Sequence, residues 1–280
     1  PAQTAHYDGC IYIDLSTIHS MIALPFHPSN GYELRELNEN MDDILHEVEE
    51  NASKLIKNPN LRLNLRDKVR NGALYADQGT IAGCAGGTYS NIMEAAHILK
   101  GKSTGTDEYA LGIYPSSQAV MLELTRNGAL ADLIEAGATI RTAFCGPCFG
   151  AGDTPAHNGL SIRHTTRNFP NREGSKPGNG QLASVALMDA RSIAVSSANG
   201  GRIMAADEAG YEFECPEYRY DPKAYQHRVF QGVGKGCSEE TVICGPNIKD
   251  WPELPELNDH MLLKVCAYIT DPVTTCLLYT

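Results

Sequence analysis

The sequence contains no long apolar stretch and no recognisable leader at its start. No window approaches the roughly 18 uncharged apolar residues that a membrane-spanning helix needs, so we predict none. The opening run Pro-Ala-Gln-Thr-Ala-His has neither the basic nor the apolar region of a secretory signal peptide. It also has no methionine at position 1, which favours the interpretation that the chain is a piece of a longer one.

Cysteine is too sparse for a disulfide scaffold. The 280 residues include nine cysteines, an odd number, whereas disulfide-stapled domains are short secreted chains in which cysteines are dense. A chain of this length, with 42% hydrophobic residues, can bury a core without such bridges. These features indicate a reducing compartment, and we predict a cytoplasmic protein.

Positive charge is also scarce. The net charge of −11 argues against nucleic acid as the main partner, because binding to phosphates requires a basic face. Arg163, Arg167, Arg172 and Lys176 nevertheless fall within 14 residues in which Glu173 is the one acid. A local positive loop suits a small anionic ligand better than a polymer, although a solvated charged loop has the same composition.

The middle of the chain alternates between strand and helix patterns. Apolar residues recur at helical spacing from 40 to 57, where Asn40 is placed to cap the helix. A short strand is predicted at 10–13, and the Gly-, Asn-, Pro- and Arg-rich segment 150–181 is interpreted as a long functional loop. Further strands are predicted at 80–83, 109–114 and 138–144, and further helices at 91–100, 118–127, 129–136 and 187–198. The alternation predicts an α/β fold with three layers (α/β/α) and a mostly parallel sheet.

Three cysteines in glycine-containing turns carry the main chemical signal. Cys84 follows the strand predicted at 80–83, whereas Cys145 and Cys148 form a Cys-Gly-Pro-Cys turn after the strand predicted at 138–144. Ligands bind at the carboxyl ends of parallel strands, so both turns are expected where a site should lie. Three thiolates can hold a cubane iron–sulfur cluster while its fourth iron stays open, and the glycines leave backbone amides free to donate to sulfide.

A Cys-x-x-Cys pair also occurs in zinc sites and in redox pairs. A structural zinc ion needs four protein ligands. His157 and His164 would be the candidates to complete such a site, but surface or hydrogen-bonding roles suit both histidines better. The remaining cysteines are interpreted as buried or incidental thiols: Cys10, Cys215, Cys237, Cys244, Cys266 and Cys276.

The motifs around the three cysteines resemble those of the aconitase and isopropylmalate dehydratase superfamily. The Cys-Gly-Pro-Cys turn at 145–148 and the run Arg-Asn-Phe-Pro-Asn-Arg at 167–172 are similar to the family's Cys-Gly-Pro-Cys turn and Arg-Asn-Phe-x-x-Arg segment. Upstream, Gly-Cys-Ala-Gly-Gly at 83–87 takes the place of the family's Gly-Ser-Cys-Thr-Asn motif. The chain thus resembles the third, iron–sulfur-binding α/β domain of these enzymes, over roughly residues 12–200.

The resemblance implies a 4Fe–4S cluster in which Cys84, Cys145 and Cys148 each bind one iron. It implies a hydro-lyase in which the open iron acts as a Lewis acid on a 2-hydroxy di- or tricarboxylic acid. Arg167 and Arg172 would anchor substrate carboxylates, because a guanidinium matches a carboxylate with two hydrogen bonds. The family's acid–base residues have no counterpart in this chain, so we assign no catalytic residue and expect the isolated chain to be inactive.

The resemblance also divides the chain into three parts. Residues 1–37 would enter from a preceding domain, residues 38–205 would form the cluster-bearing domain, and residues 206–280 would connect to a swivelling domain, which residues 269–275 approach. The implied partners are a small hydroxy polycarboxylate and the other domains of the parent chain. The alternatives are a non-catalytic metal- or ligand-binding domain that has lost the cluster, and an RNA-binding regulator, which the acidic charge disfavours.

Overall fold

The computed structural model describes residues 6–56, 58–241, 243–249, 252–254, 256 and 258–268. The chain divides into a compact unit of residues 1–231 and a second unit of residues 232–280. Every described helix and strand lies in the first unit. Residues 269–280, which include Cys276 and the predicted approach to a swivelling domain, lie outside the described residues. No helix in the described part of the chain is long and apolar enough to cross a membrane.

A seven-stranded mixed sheet forms the centre of the first unit. The described strands are β1 (Met21–Ala23), β2 (Gly31–Glu33), β3 (Val69–Arg70), β4 (Ala73–Leu74), β5 (Gln78–Ile81), β6 (Ala110–Ile113), β7 (Thr139–Ile140), β8 (Leu160–His164) and β9 (Ser184–Met188). The order across the sheet is β2-β1-β9-β8-β5-β6-β7, and β3 pairs with β4 separately. The five strands from β9 to β7 are parallel, whereas β1 is antiparallel to β2 and β9. The predicted α/β fold with a mostly parallel sheet is therefore confirmed.

Helices connect and cover these strands. They are α1 (Leu34–Glu39), α2 (Met41–Leu55), α3 (Gly83–Gly86), α4 (Tyr89–Leu99), α5 (Gln118–Arg126), α6 (Ala129–Glu135), α7 (Ala190–Ser197) and α8 (Lys223–Gln226). Helix α4 packs against α6 and α7, and α7 packs against β5 and β8. Asn40 occupies the N-cap position of α2, as predicted, but its side chain makes no capping hydrogen bond. Its side-chain amide donates to the carbonyl of Glu36 instead, at 3.3 Å.

Several predicted elements differ from the observed ones. Residues 10–13 form no strand, since their exposed side chains have no neighbouring strand, and the first local structure is a 3₁₀ turn at Leu15–Thr17. The strand predicted at 138–144 is reduced to β7. The helix predicted from residue 187 begins at Ala190, because the preceding residues form β9.

The segment 150–181, predicted as a loop, contains the central strand β8. Its apolar residues Leu160 and Ile162 alternate with the polar residues Ser161 and Arg163, and all four are fully buried. Alternation normally indicates a strand with one face in water, but here both faces are covered. Strands β1 and β2 lie within residues 1–37 and belong to the main sheet, while the division of the parent protein at residues 37 and 205 remains a proposal.

Candidate metal centre

The carboxyl ends of three parallel strands bring the predicted site residues to one edge of the sheet. Cys84 lies three residues after β5, Cys145 lies five residues after β7, and Arg167 lies three residues after β8. Strand β6 separates β5 from β7, so the two cysteine segments follow strands that are not adjacent in the sheet. The connection between β7 and β8 carries the Cys-x-x-Cys turn back toward β5, which is the neighbour of β8.

Cys84 is exposed on the single helical turn α3. This turn lies directly against the end of β8, where a methyl group on Gly86 would overlap the carbonyl oxygen of His164. The side-chain amide of Asn91 donates to the carbonyl of Ala85 at 2.9 Å and closes the turn onto α4. Glycine is therefore required at position 86 by the close approach of two backbone segments.

Cys145 and Cys148 lie at the two ends of a tight 3₁₀ turn. The backbone amide of Cys148 donates to the carbonyl of Cys145 at 3.0 Å. Cys145 is exposed, whereas Cys148 is buried at 7% exposure. The rings of Phe144 and Phe149 flank the turn in an edge-to-face contact with their centroids 5.9 Å apart. The turn thus presents one thiol to the surface and one to the interior.

The three thiols share one small region. A Cβ atom placed on Gly83 would lie 3.0 Å from the Sγ atom of Cys148, so this sulfur lies beside the Cys84 turn. Cys84 and Cys145 both line a cavity of about 250 Å³. Burial raises the pKa of the Cys148 thiol, and the charges of Cys145 and Cys84 raise it further, because a second or third thiolate adds like charge. The fold therefore brings together cysteines that lie far apart in the sequence.

The thiols do not converge on one point. Within the described residues, no group of three His, Cys, Asp or Glu side chains is placed to hold a single metal ion. Of the two histidines considered for zinc, His157 accepts a hydrogen bond from the backbone amide of Leu182 at 3.2 Å. The ring of His164 is largely buried at the end of β8, and burial lowers its pKa. The arrangement therefore does not favour a mononuclear zinc site, whose ligands must all lie about 2.0–2.3 Å from one ion.

The loop that carries the two arginines lies against the cysteine turn. The backbone amide of Thr166, next to Arg167, interacts with the thiol of Cys148 and opposes the upward shift of its pKa. A Cβ atom on Gly150 would lie 2.7 Å from the Cα atom of Gly174. The backbone after the cysteine turn and the backbone after the arginine loop are therefore in close contact. Arg167 is exposed and Arg172 is half-buried, and neither forms an ion pair with a carboxylate of the described residues. Both guanidinium groups are available to an anionic ligand.

Asn168 fixes this loop to the sheet. Its side chain is fully buried, and its amide nitrogen donates to the carbonyls of Leu24 at 2.8 Å and Ala23 at 3.1 Å. The ring of Phe169 contacts that of His27 with a centroid distance of 5.3 Å. The arginines thus project from a loop that is anchored between them.

Replacing Asn168 with alanine should lower the free energy of unfolding by about 1–3 kcal/mol, because buried carbonyls lose their donor. Denaturant unfolding followed by circular dichroism measures this difference. Asn179→Ala is the matched control, since this asparagine is exposed and its side chain has no hydrogen bond to the described residues; its effect should stay within about 0.5 kcal/mol. Equal stability of the two variants would show that Asn168 does not anchor the loop.

The burial of two charged residues was not predicted from the sequence. Arg163, which had been grouped with the basic loop, is fully buried, and so is Glu173. Burial raises the pKa of Glu173, an effect that its hydrogen bonds from Ser175 and the charge of Arg163 oppose. The alternation Leu-Ser-Ile-Arg at 160–163 was the available signal that Arg163 lies on a strand rather than in a loop.

Comparisons with known proteins identify the family of this chain. The model of the aconitase family (aconitate hydratase) matches residues 1–195. The 3-isopropylmalate dehydratase large subunit of Clostridium kluyveri is 29% identical over 191 residues, which is 65% of this chain and 42% of that protein. The large subunit from Caldanaerobacter subterraneus subsp. tengcongensis is 34% identical over 170 residues, covering 60% of this chain and 37% of that protein.

The large subunit from Moorella thermoacetica is 33% identical over 210 residues, which is 73% of this chain and 39% of that protein. The chain therefore spans about two fifths of the length of the curated relatives that it matches. The family model covers well over half of the chain and includes all three cysteines and both arginines. The chain belongs to the aconitase family.

Proposed function

We propose that this chain supplies the 4Fe–4S-binding surface, and part of the carboxylate-binding surface, of a hydro-lyase. The observation that carries the proposal is the proximity of three thiols from two distant segments. Cys84 and Cys145 line one cavity and Cys148 lies beside the Cys84 turn, near two arginines without a carboxylate partner among the described residues. Cys84, Cys145 and Cys148 would each bind one iron.

The donor set fits such a cluster. Each cysteine of a cubane cluster binds a different iron, so the three sulfur atoms need not enclose a single point. Two exposed thiols facing a cavity, with a third buried beneath them, meet this requirement. When bound, the cluster would supply a Lewis acid that makes hydroxide a tolerable leaving group. The contribution of the chain is to hold three thiolates and to present cationic groups next to them.

Together with the family resemblance, the arginines support one class of substrate. Arg167 and Arg172 lie on the same anchored loop, and guanidinium groups retain their charge and match carboxylates in two hydrogen bonds. We therefore assign a 2-hydroxy di- or tricarboxylic acid as the substrate, with 3-isopropylmalate as the first candidate because of the similarity to dehydratases named for it. The rest of the parent chain would supply the remaining length of a large subunit, and a small subunit, which the relatives' name implies, would be a separate partner. Free thiols suit the reducing cytoplasm.

In the assembled enzyme, Arg172→Lys should raise KM and lower kcat, with a combined loss in kcat/KM of roughly 10- to 100-fold. The guanidinium can bind a carboxylate with two parallel hydrogen bonds, whereas the lysine ammonium offers only a compact charge. Steady-state kinetics with 3-isopropylmalate and with citrate measure the effect and also compare the two substrates. Arg202→Lys is the control, since Arg202 is exposed and lies outside the site. Unchanged kinetics in Arg172→Lys would remove this residue from the substrate site.

The second candidate is a domain that has lost the cluster and binds a metal ion or ligand without catalysis. Anaerobic incubation with iron and sulfide separates the two functions. A brown product with the spin-resonance signal of an iron–sulfur cluster supports the hydro-lyase. A colourless, spin-silent product that binds zinc stoichiometrically supports the second candidate.

A further inference from the structure

The guanidinium of Arg163 lies beneath the Cys-x-x-Cys turn and has no ion-pair partner among the described residues. Its side chain is fully buried, at 0% exposure. Four hydrogen bonds hold it: Nε donates to Ser161 Oγ at 2.9 Å, Nη1 to the carbonyl of Pro147 at 2.6 Å, and Nη2 to the carbonyl of Asp153 at 2.8 Å and to Gln78 Oε1 at 3.2 Å. These bonds connect two different parts of the fold.

One pair of acceptors belongs to the sheet. Gln78 on β5 and Ser161 on β8 are directly paired in the parallel ladder, and the hydroxyl of Ser161 also donates to Gln78 at 2.7 Å. Their positions are therefore fixed by the strands. The other pair of acceptors belongs to the loop between β7 and β8. Pro147 lies between the two cysteines of the turn. Asp153 follows the turn in the same loop, and its carboxylate accepts a hydrogen bond from Arg141 at 2.9 Å.

We propose that Arg163 is a positioning residue for the cluster: it fastens the Cys145–Cys148 turn to the central strands and places a buried positive charge under the three thiolates. Only the placement of the charge rests on the proposed function; the fastening of the turn does not. A planar guanidinium suits the fastening, because its donors diverge in a fixed fork and reach carbonyls on two sides at once. Lysine carries all its donors on one nitrogen atom and lacks this fixed, divergent arrangement.

No carboxylate of the described residues lies at ion-pair distance from the buried charge of Arg163. Glu173 and Asp153 are the acids whose charges act on Arg163, but neither forms an ion pair with it, and the charge of Cys148 acts on it as well. An isolated buried cation is costly. Three thiolates with their cluster are anionic overall, so loading the site would give Arg163 the compensating charge that the protein alone does not place within ion-pair distance.

The fastening of the turn by Arg163, here called the bracing role, is tested on the metal-free 280-residue chain. Alkylation of each cysteine is followed by mass spectrometry, with exposed Cys10 as the internal reference and circular dichroism as the check that the chain is folded. In Arg163→Lys, the alkylation rate of Cys148 relative to that of Cys10 should rise roughly tenfold. The turn should open more often once it loses its hydrogen bonds to the guanidinium group. Arg62→Lys, at an exposed position, should leave the ratio unchanged.

A folded Arg163→Lys chain with the wild-type ratio overturns the bracing role. Should Arg163→Lys fail to fold, Gln78→Met provides the same test, because it removes one anchor of the guanidinium and keeps the charge. It should raise the ratio by about threefold, and an unchanged ratio again overturns the proposal.

The charge role is tested on the chain reconstituted with iron and sulfide. Arg163→Gln should shift the reduction potential of the cluster to more negative values than in Arg163→Lys, because a nearby cation favours the reduced, more anionic state. Equal potentials overturn the charge role. A wild-type chain that assembles no cluster contradicts the proposed function instead, and the alkylation result still decides whether Arg163 braces the turn.

Discussion

Cys148→Ser should abolish cluster assembly when the chain is incubated anaerobically with iron and sulfide. Serine has almost the shape of cysteine, so the buried turn should keep its fold, but a hydroxyl does not ionise near neutral pH as a thiol can. Cys148 is the buried member of the three and lies beside the turn of Cys84, so its loss removes the proposed ligand that joins the two cysteine segments. Visible absorbance and bound iron per chain measure the loss.

Cys215→Ser is the matched control for this experiment. Cys215 is a half-buried free cysteine outside the proposed site, and its thiol contacts the carbonyl of Pro216 at 3.5 Å. The control should assemble the cluster to the wild-type level. If Cys148→Ser also does so, the set of ligands proposed here is wrong, even if an iron–sulfur cluster is present.

Gly86→Ala should lower the free energy of unfolding by about 3 kcal/mol, at the upper end of the usual cost of overpacking. The added methyl group would overlap the carbonyl oxygen of His164 and lie 3.0 Å from its carbonyl carbon. These are backbone atoms of the central strand β8, so they cannot rotate away as a flexible side chain would. The displacement should also move Cys84, and cluster assembly should fall together with stability.

Gly178→Ala makes the same chemical change where a Cβ atom meets nothing within 4 Å. Its unfolding free energy should stay within about 0.5 kcal/mol of the wild type. Denaturant titrations of both variants give the comparison. A Gly86→Ala chain as stable as Gly178→Ala would mean that α3 does not lie against β8 as described.

The longer helices and the α/β class were predictable because they depend on local hydrophobic periodicity, whereas the short helices α1, α3 and α8 were not predicted. The helix predicted from 40 to 57 is α2, which buries Met41, Ile44, Leu45, Val48 and Ala52 along one face. The strands β8 and β9 were not predictable in the same way. Both strands are short and almost entirely buried, and β8 alternates apolar and polar residues although both of its faces are covered, so the pattern does not report its burial.

For the candidate site, the choice of residues came from local motifs, whereas their surroundings depend on the fold. Glycine-containing turns and the family motifs identified the three cysteines and the two arginines. That Cys84 meets Cys148 depends on the strand order β8-β5-β6-β7, which no local pattern encodes. The burial of Arg163 likewise depends on partners at positions 78, 147, 153 and 161, which are brought together only by the fold.

Cysteine footprinting of the anaerobically reconstituted chain tests the central claim most directly. Alkylation followed by peptide mapping, with and without bound iron and sulfide, reports which thiols are ligands. We predict about four iron atoms and four sulfides per chain, with protection gained at Cys84, Cys145 and Cys148 and lost when a chelator strips the iron. Exposed Cys84 and Cys145 that react equally fast in the presence and absence of iron would contradict the account.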